Sequence, residues 1–435
     1  MTLLVISPDY ASHLLPLVTL ATSWRDRGER VVVATGEATA SIVASFGFEH
    51  VELRLGRGSN PGTIRAEEQP AEEDDSLREF FAATRRGMVP TLAYQAQERL
   101  TDLLWRPLET ARAVREVVAS VGADVILVDH LAFSARLALD AARVPYADVV
   151  LGHPSALPVG DELYGFPSEW PDAFVPDPEE LAELRRLCAR VSENFTREWN
   201  TALAELNPLA DSSPDAFAGH GPLLLLNYPQ ELSDPSRDRM LVPHVYLGSA
   251  VRGEEPDPEV DAWLAASNAP FVYVSFGSFL SVRADVLSRV AAAIRACGLR
   301  AAIATGSADR AELAERGELR ADWLVREFLP QVTLLDHATL AVTHGGNNSV
   351  TEAVTAGVPM LVLPFSTDQF AGARSLERAG LGAALDPNLA TVEQLTDALQ
   401  ALLAADRTAS DALARSLQST PGRERAFAAL LSSTS

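Results

Sequence analysis

The stretch 328–370 reads FLPQVTLLDHATLAVTHGGNNSVTEAVTAGVPMLVLPFSTDQF and gathers residue types that hold an anion. Leu340–Thr343 has the apolar run of a buried strand, His344-Gly345-Gly346 makes a tight turn, and Asn347-Asn348-Ser349 opens a helix that Gly357 closes. Glycines ahead of a helix start leave backbone N–H groups free, and these favour a phosphate together with the helix dipole. Asn348 and Ser349 add side-chain donors, and His344 adds a ring N–H. A second strand, Met360–Leu363, runs to the same edge and delivers Asp368 and Gln369 there. The same residues admit a plainer account, because Ser349-x-x-Glu352 is also the pattern of a capping box, which needs no ligand.

A proton acceptor is the second requirement of any chemistry here, and His13 is the candidate. It follows the apolar run Leu3–Ile6 in a loop that enters the first helix. A helix N-terminus disfavours the cationic imidazole, which predicts a neutral ring able to take a proton. Asp129 follows Val125–Val128. In a parallel sheet both loops leave at one edge, so the carboxylate can reach the other ring nitrogen, fix the tautomer and stabilise the imidazolium. A lone histidine past a strand is more often structural than catalytic. His130 stands beside Asp129 and competes for attention; Asp129 is retained because the chemistry requires a carboxylate.

These residues need a parallel sheet to position them, and the pattern supplies two. Short apolar runs (Leu3–Ile6, Val31–Ala34, Val125–Val128, Ala147–Leu151, Leu223–Leu226 and Val245–Leu247) alternate with helical periodicity at Leu108–Ala119 and Phe133–Ala142. Alternation of this kind predicts α/β layering. The proline-bearing, charged stretch Arg252–Asp261 reads as an interdomain linker. A second series then begins at Phe271–Ser275 and continues through Ala301–Ala304, Leu324–Arg326, Leu340–Thr343 and Met360–Leu363. The expected division is an N-terminal domain over 1–222, last strands and linker over 223–262, and a C-terminal domain over 263–414. The helical tail 415–435 is expected to cross back onto the first half. Ligands in such sheets bind beyond the carboxyl ends of the strands. Segments 56–100 and 152–222 break the alternation and are expected as helical flaps over the cleft. The acidic run between Glu67 and Glu79 reads as a solvated loop.

Totals narrow the class. A chain of 435 residues holds two or three domains at about 150 residues each. A net charge of −23 argues against a nucleic-acid partner and against an anionic membrane surface. No run approaches the roughly 18 apolar residues of a membrane span. The opening MTLLVISPDY lacks the basic flank of a signal peptide, so a cytoplasmic location without membrane insertion is expected. Cys188 and Cys297 are too few and too far apart for a disulfide framework or a cysteine metal site. Asp-x-Asp is absent, which predicts no metal. Oligomeric state is left open.

The 328–370 segment resembles the donor-binding signature of the family 1 glycosyltransferases, seen in plant secondary-metabolite and bacterial antibiotic enzymes. The matching residues are Phe328-Leu329-Pro330-Gln331, His344-Gly345-Gly346-Asn347-Asn348-Ser349, Glu352, Gly357-Val358-Pro359 and Asp368-Gln369. The family has Trp where Phe328 stands, and its plant members have Trp at Asn347. Phe271–Ser278 (FVYVSFGS) and Ser12-His13-Leu14-Leu15-Pro16 resemble further family motifs, the latter with Ser12 in place of a glycine. The resemblance implies two facing Rossmann-like domains, the GT-B arrangement, with the acceptor held by the first half and a nucleotide diphosphate sugar by the second. It implies that Phe328 stacks on the base, with Gln331 in the same motif. His344, Gly346, Asn348, Ser349 and Ser278 would hold the diphosphate, Glu352 the ribose, and Asp368 and Gln369 the sugar. His13 and Asp129 would be the catalytic pair of an inverting, metal-independent transfer. A UDP-sugar is expected ahead of a dTDP-sugar as co-substrate, with no other cofactor.

The acceptor is expected to be small and apolar or aromatic, a polyketide, phenol or steroid-like compound, touched by Phe81, Phe133, His153, Phe166 and Trp170. Two other readings stand beside this one. A sugar-nucleotide epimerase of the same architecture would bind the donor without needing His13 in its motif, and would release an epimeric sugar nucleotide with no acceptor present. A non-catalytic nucleotide-sugar-binding protein would bind and never turn over.

Overall fold

The computed structural model describes residues 1–60, 71–277, 283–306 and 319–433. In the first half, β1 (Thr2–Ile6), β2 (Arg30–Thr35), β3 (Glu49–Glu52), β4 (Val125–Asp129), β5 (Ala147–Val150), β6 (Leu223–Leu226) and β7 (His244–Tyr246) form one sheet. Its order is β3-β2-β1-β4-β5-β6-β7, and every pairing is parallel. In the second half, β8 (Phe271–Ser275), β9 (Arg300–Ala304), β10 (Leu324–Arg326), β11 (Leu340–Thr343), β12 (Met360–Val362) and β13 (Gly382–Ala384) pair in the order β10-β9-β8-β11-β12-β13, again all parallel. The strands read as near-continuous apolar runs because helices cover both faces of each sheet. Leu3, Leu4, Val5 and Ile6 of β1 are fully buried, as are Leu340 and Val342 of β11.

Each sheet changes direction once. The chain runs outward from β1 to β2 and β3, then returns to β4 on the other side of β1. The same reversal places β11 beside β8 in the second sheet. Loops leaving the two central strands diverge at such a point and open a crevice. His13 and Asp129 stand at the first crevice, and Gly277 and His344 stand at the second.

The segments expected as flaps are helical. Ala71–Arg86 and Met88–Asp102 lie in the first, and the long helix Pro178–Leu206 dominates the second. Asp177 starts that long helix by accepting from the N–H groups of Glu179 and Glu180. Leu92 and Ala96 share an apolar cluster with Leu184, Cys188 and Trp199, which fixes the flap helices to each other. The flap also reaches the other domain, since Asn388 donates to the Thr84 carbonyl at 2.9 Å and the Thr367 N–H to Gln95 at 3.2 Å. Most of the Glu67–Glu79 acidic run falls outside the described side chains.

Within the stretch Arg252–Asp261, Asp257 caps a helix over Pro258–Ala265. An Asp-Pro-Glu sequence offers a side-chain acceptor followed by a residue already fixed in helical φ, which starts a helix. At the C-terminus, Thr408–Ser419 packs on the second domain, with Ala414 against Gly357. After a break at Pro421, Gly422–Ser433 lies on the first, with Phe427 edge-on to Trp24 at 4.8 Å. Among the described residues no helix is long and apolar enough to cross a membrane.

Candidate active site

The two crevices face each other across a pocket of about 760 Å³ lined by both halves. On the first-domain side, the His13 ring donates to Asp129, with Nδ1 2.7 Å from Oδ2. A carboxylate only accepts, so Nδ1 carries the hydrogen in this pair. The other oxygen of Asp129 accepts the Leu131 N–H at 2.8 Å, which holds the carboxylate in place. Asp129 is fully buried, while His13 lines the pocket with its side chain 25% exposed. Burial works to lower the His13 pKa, but the charge and hydrogen bond of Asp129, helped by Asp368, outweigh it and raise the pKa above the ordinary value. The direction is opposite to the one a helix N-terminus alone would give. A bonded, buried carboxylate is a stronger influence than the partial charge of one helix end.

The proline of the His-x-x-Pro motif has a structural consequence. Pro16 sits inside the helix Ala11–Arg25 and has no N–H to give to Ser12, four residues back. The Ser12 carbonyl instead accepts from the Asn348 side chain of the other domain at 2.8 Å. Beside it, the Asn347 amide donates to the carbonyls of Leu151 at 2.6 Å and Asn227 at 3.0 Å. The N-terminus of the helix Asn347–Ala356 thus meets the first domain directly. No side chain caps that helix, and Gly346 is its N-cap residue, so the Ser349–Glu352 pair forms no capping box.

His344 occupies a slot between two glycines. A Cβ on Gly346 would lie 2.4 Å from its Nε2, and one on Gly277 2.8 Å from its Cε1. Both positions therefore need glycine for the ring to sit where it does. The turn between them places Gly345 at φ +86°, where a Cβ would also meet Val362 at 2.8 Å. Nδ1 of His344 is buried with no partner in hydrogen-bonding geometry. Burial pushes the His344 pKa down to about 4, against a weaker opposing pull from the Ser275 backbone.

The other candidate residues divide by position. Phe166, Phe328, Gln331, His344, Gly346, Asn348, Ser349, Asp368 and Gln369 line the pocket with His13. Phe328 is 62% exposed at its rim, open for stacking. Ser349 donates to Gln331 at 3.3 Å. Gln369 accepts from the N–H groups of Phe365 and Ser366, so its side chain also braces the loop after β12. Asp368 accepts the His153 N–H at 2.6 Å across the cleft. Ser278 lies outside the described residues.

Besides Asp129, five described candidates do not line the pocket. Glu352 is buried behind it, paired with Arg252 at 2.7 Å and accepting from Gln331 at 2.5 Å. Burial raises its pKa against the pull of Arg252. Phe133 is in the core, edge-on to Phe195 and Phe217, because the first turn of its helix points down into that aromatic stack. Phe81 is one helical position off, and its neighbour Phe80 lines the pocket instead, as a rotation of about 100° per residue requires. Trp170 packs against the flap cluster. His153 is buried in the seam between domains, with Nε2 3.3 Å from the Ser375 hydroxyl. Sequence reasoning missed Tyr94, Gln95, His130 and Arg252, all on the pocket wall. Arg252 had no motif to signal it, whereas His130 was visible beside Asp129.

Two parallel-sheet domains meeting at their switch points, with a histidine–aspartate pair on one side and a glycine turn at a helix start on the other, define a glycosyltransferase of the GT-B class. Solved structures share that fold: the glycosyltransferase VinC in complex with dTDP superposes with a TM-score of 0.68 over 100% of this chain and 99% of that one, at 17% identity. Residues 187–416 match the model of the UDP-glucoronosyl and UDP-glucosyl transferase family, and the chain belongs to that family. Among curated relatives, zeaxanthin glucosyltransferase from Pseudescherichia vulneris is 25% identical over 95% of this chain and 92% of its own. Glycosyltransferase GtfE from Amycolatopsis orientalis is 27% identical over 92% and 90%.

Proposed function

We propose that this glycosyltransferase inverts configuration, moving a hexose from a nucleotide diphosphate donor to a hydroxyl of a small apolar or aromatic natural product, without a metal. The observation that carries the reading is the His13–Asp129 pair, 2.7 Å apart at the first crevice and facing the start of the Asn347–Ala356 helix. His13 takes the acceptor proton through Nε2 as the acceptor oxygen attacks the anomeric carbon. Asp129 stabilises the imidazolium that forms. The diphosphate leaves toward the free N–H groups and dipole of the helix start, with His344, Asn348 and Ser349 beside it.

A UDP-sugar is favoured as donor by the fit to the family signature, and a dTDP-sugar is the alternative. The smaller ring at Phe328 and the dTDP bound by VinC favour the alternative. The relative named for zeaxanthin and the aromatic wall formed by Phe80, Tyr94 and Phe166 support an apolar acceptor.

The test is nucleotide release from UDP-glucose and dTDP-glucose with a panel of phenolic, macrolide and carotenoid alcohols, with chelator present, for wild type and His13→Ala. Acceptor-dependent release that survives chelator and collapses in the variant is expected. A β-glycoside from an α-linked donor is the expected product. An α-glycoside would sink the single displacement, and release without acceptor would favour hydrolysis or epimerisation.

A further inference from the structure

The dipeptide Asp368-Gln369 belongs to the second domain, yet the first domain grips the chain on both sides of it. Phe370, the next residue, is fully buried in the apolar cluster of the flap helices and stands edge-on to Phe174 at 5.2 Å. Asp368 accepts the His153 N–H at 2.6 Å through one oxygen and the Thr367 hydroxyl at 3.0 Å through the other. The loop before it has three successive N–H groups to satisfy. Those of Phe365 and Ser366 go to Gln369, within the loop itself. The third, at Thr367, crosses to the flap and donates to the Gln95 side-chain oxygen at 3.2 Å.

That third residue is strained. Thr367 has φ +51°, in the left-handed region, where a Cβ crowds the backbone and a branched one crowds it more. Among the described residues Arg106 and Arg143 also have positive φ, but they sit at helix ends. Thr367 is the β-branched member of the three and the one on the pocket wall. Such a conformation persists only where the surroundings over-determine it. Around Thr367 they are Gln95 on its N–H and Asp368 on its hydroxyl. Gln95 has a rigid base for the task. It is carried by the flap helix Met88–Asp102, whose Leu92 and Ala96 are locked into the apolar cluster. Its side chain is half-buried and lines the same pocket as Thr367 and Asp368.

We infer that Gln95 is a positioning residue for the donor sugar: from the acceptor side of the cleft it holds Thr367 in the left-handed conformation that sets the Asp368 carboxylate. The inference rests on the reading that Asp368 binds hydroxyls of the sugar. Without Gln95, Thr367 relaxes toward negative φ, the peptide ahead of Asp368 turns, and the carboxylate leaves its place. The nucleotide diphosphate, held at the start of the Asn347–Ala356 helix, does not sense the change. Recognition of the sugar is then a property of the two domains together, and recognition of the nucleotide a property of the second alone.

The test is calorimetry on the full chain with UDP-glucose, dTDP-glucose, UDP and dTDP. The proteins are wild type, Gln95→Ala, Gln95→Met, Thr367→Gly, the combination of Gln95→Ala with Thr367→Gly, and Asp368→Ala, with melting temperatures as the check on folding. Gln95→Ala is expected to weaken the sugar nucleotide that wild type binds by about tenfold and to leave its nucleotide diphosphate within about twofold. Gln95→Met keeps the bulk of the side chain without its oxygen and is expected to do the same. Glycine takes the left-handed conformation unaided. In the Thr367→Gly background the cost of Gln95→Ala is therefore expected to shrink to within about twofold, a coupling that a merely loosened flap would not produce. Equal weakening of both ligands, weakening of neither, or a loss that persists undiminished in the Thr367→Gly background overturns the assignment. Asp368→Ala keeps the two readings apart. If it weakens the sugar nucleotide selectively and the Gln95 variants do not, the role of Gln95 falls and Asp368 keeps the sugar. If it has no selective effect, the sugar reading of Asp368 falls and the role of Gln95 falls with it. A wild type that binds none of the four ligands overturns both.

Discussion

The two halves of this molecule each place a histidine at the switch point, His13 after the first strand of one sheet and His344 after the strand beside the first in the other, and give the two rings opposite electrostatics. Each half has its switch point beside its first strand, β1 in one and β8 in the other. In the first half, His13 is bonded to a buried carboxylate at 2.7 Å, and its pKa is raised. In the second, His344 lies between Gly277 and Gly346 with no carboxylate, and burial takes its pKa down to about 4. The partner, and not the fold, decides what the imidazole does. A ring that must gain a proton and hold it through a transition state is given an anion. Under the proposed transfer, a ring set against a diphosphate is kept neutral and donates a single N–H, which leaves the positive end of the helix to offset the charge.

The largest effect that tests this contrast is loss of the first ring. His13→Ala is expected to lower kcat by about a thousandfold, as removal of a general base does, with nucleotide affinity within about twofold of wild type. A variant retaining a tenth of the activity would mean that the base is elsewhere. Asp129→Asn is expected to cost about a hundredfold and to change the pH profile. In wild type, kcat/KM should rise with pH through a group whose pKa lies above the ordinary histidine value of 6.5, because only the neutral ring can take a proton. With the Asp129 charge removed, the remaining influence of burial lowers the pKa, so the inflection should move to lower pH. An unmoved inflection would detach the pair from catalysis.

The second half responds to space and not to charge. Gly346→Ala would put a Cβ 2.4 Å from His344 Nε2, and the ring must swing out of its slot. Donor KM is expected to rise about tenfold to a hundredfold, while the pH inflection assigned to His13 stays in place. A parallel expectation holds at the seam between domains. Gly152→Ala would bring a Cβ to 2.7 Å from the Asp368 carboxylate, which the resemblance assigns to the sugar. A loss of about tenfold in kcat/KM for the intact sugar nucleotide is expected, with affinity for the free nucleotide diphosphate unchanged. Equal losses for both ligands would show that Asp368 does not read the sugar.

Most of the site's framework was legible in the sequence because it is built from local rules. Apolar runs gave the central strands within a residue or so at each end, since a strand buried on both faces has no choice of composition. The His-Gly-Gly turn and the helix behind it follow from glycine and from orphan N–H groups. What was missed depends on the third dimension. Strands β3 (EHVE) and β13 (GAA) sit at sheet edges, where neither face demands a continuous apolar run. Phe80 against Phe81 is a matter of helix phase that a flap of unknown start does not set. Phe133 reads as a cleft aromatic until Phe195 and Phe217, from distant segments, are seen around it. The raised pKa of His13 was out of reach for the same reason. The helix end is local to the residue, but the stronger influence comes from Asp129, 116 residues away.

The smallest effect concerns stability, and it separates the two histidines by sign. A histidine whose folded pKa is depressed binds its proton more readily in the unfolded chain, so its contribution is present above the unfolded value of 6.5 and is lost as pH falls toward the folded value of about 4. His344 therefore makes the protein weaker in acid over that window. His13 acts the other way: its raised pKa stabilises the fold below 6.5, and that contribution fades as pH rises through the folded value. His344→Asn removes a titrating group from the second half. Its unfolding midpoint in urea should decline less steeply than that of wild type between about pH 6.5 and 4. His13→Asn should run parallel to wild type over that window and differ in slope above pH 6.5, where it lacks the contribution that wild type gains as pH falls through the folded value. His153, held down to about 3 by burial, adds an acid-sensitive slope common to all three proteins and cancels in the comparison. Parallel curves for the two variants would mean that the carboxylate beside His13 and the glycine slot around His344 do not differ in the way their geometry requires.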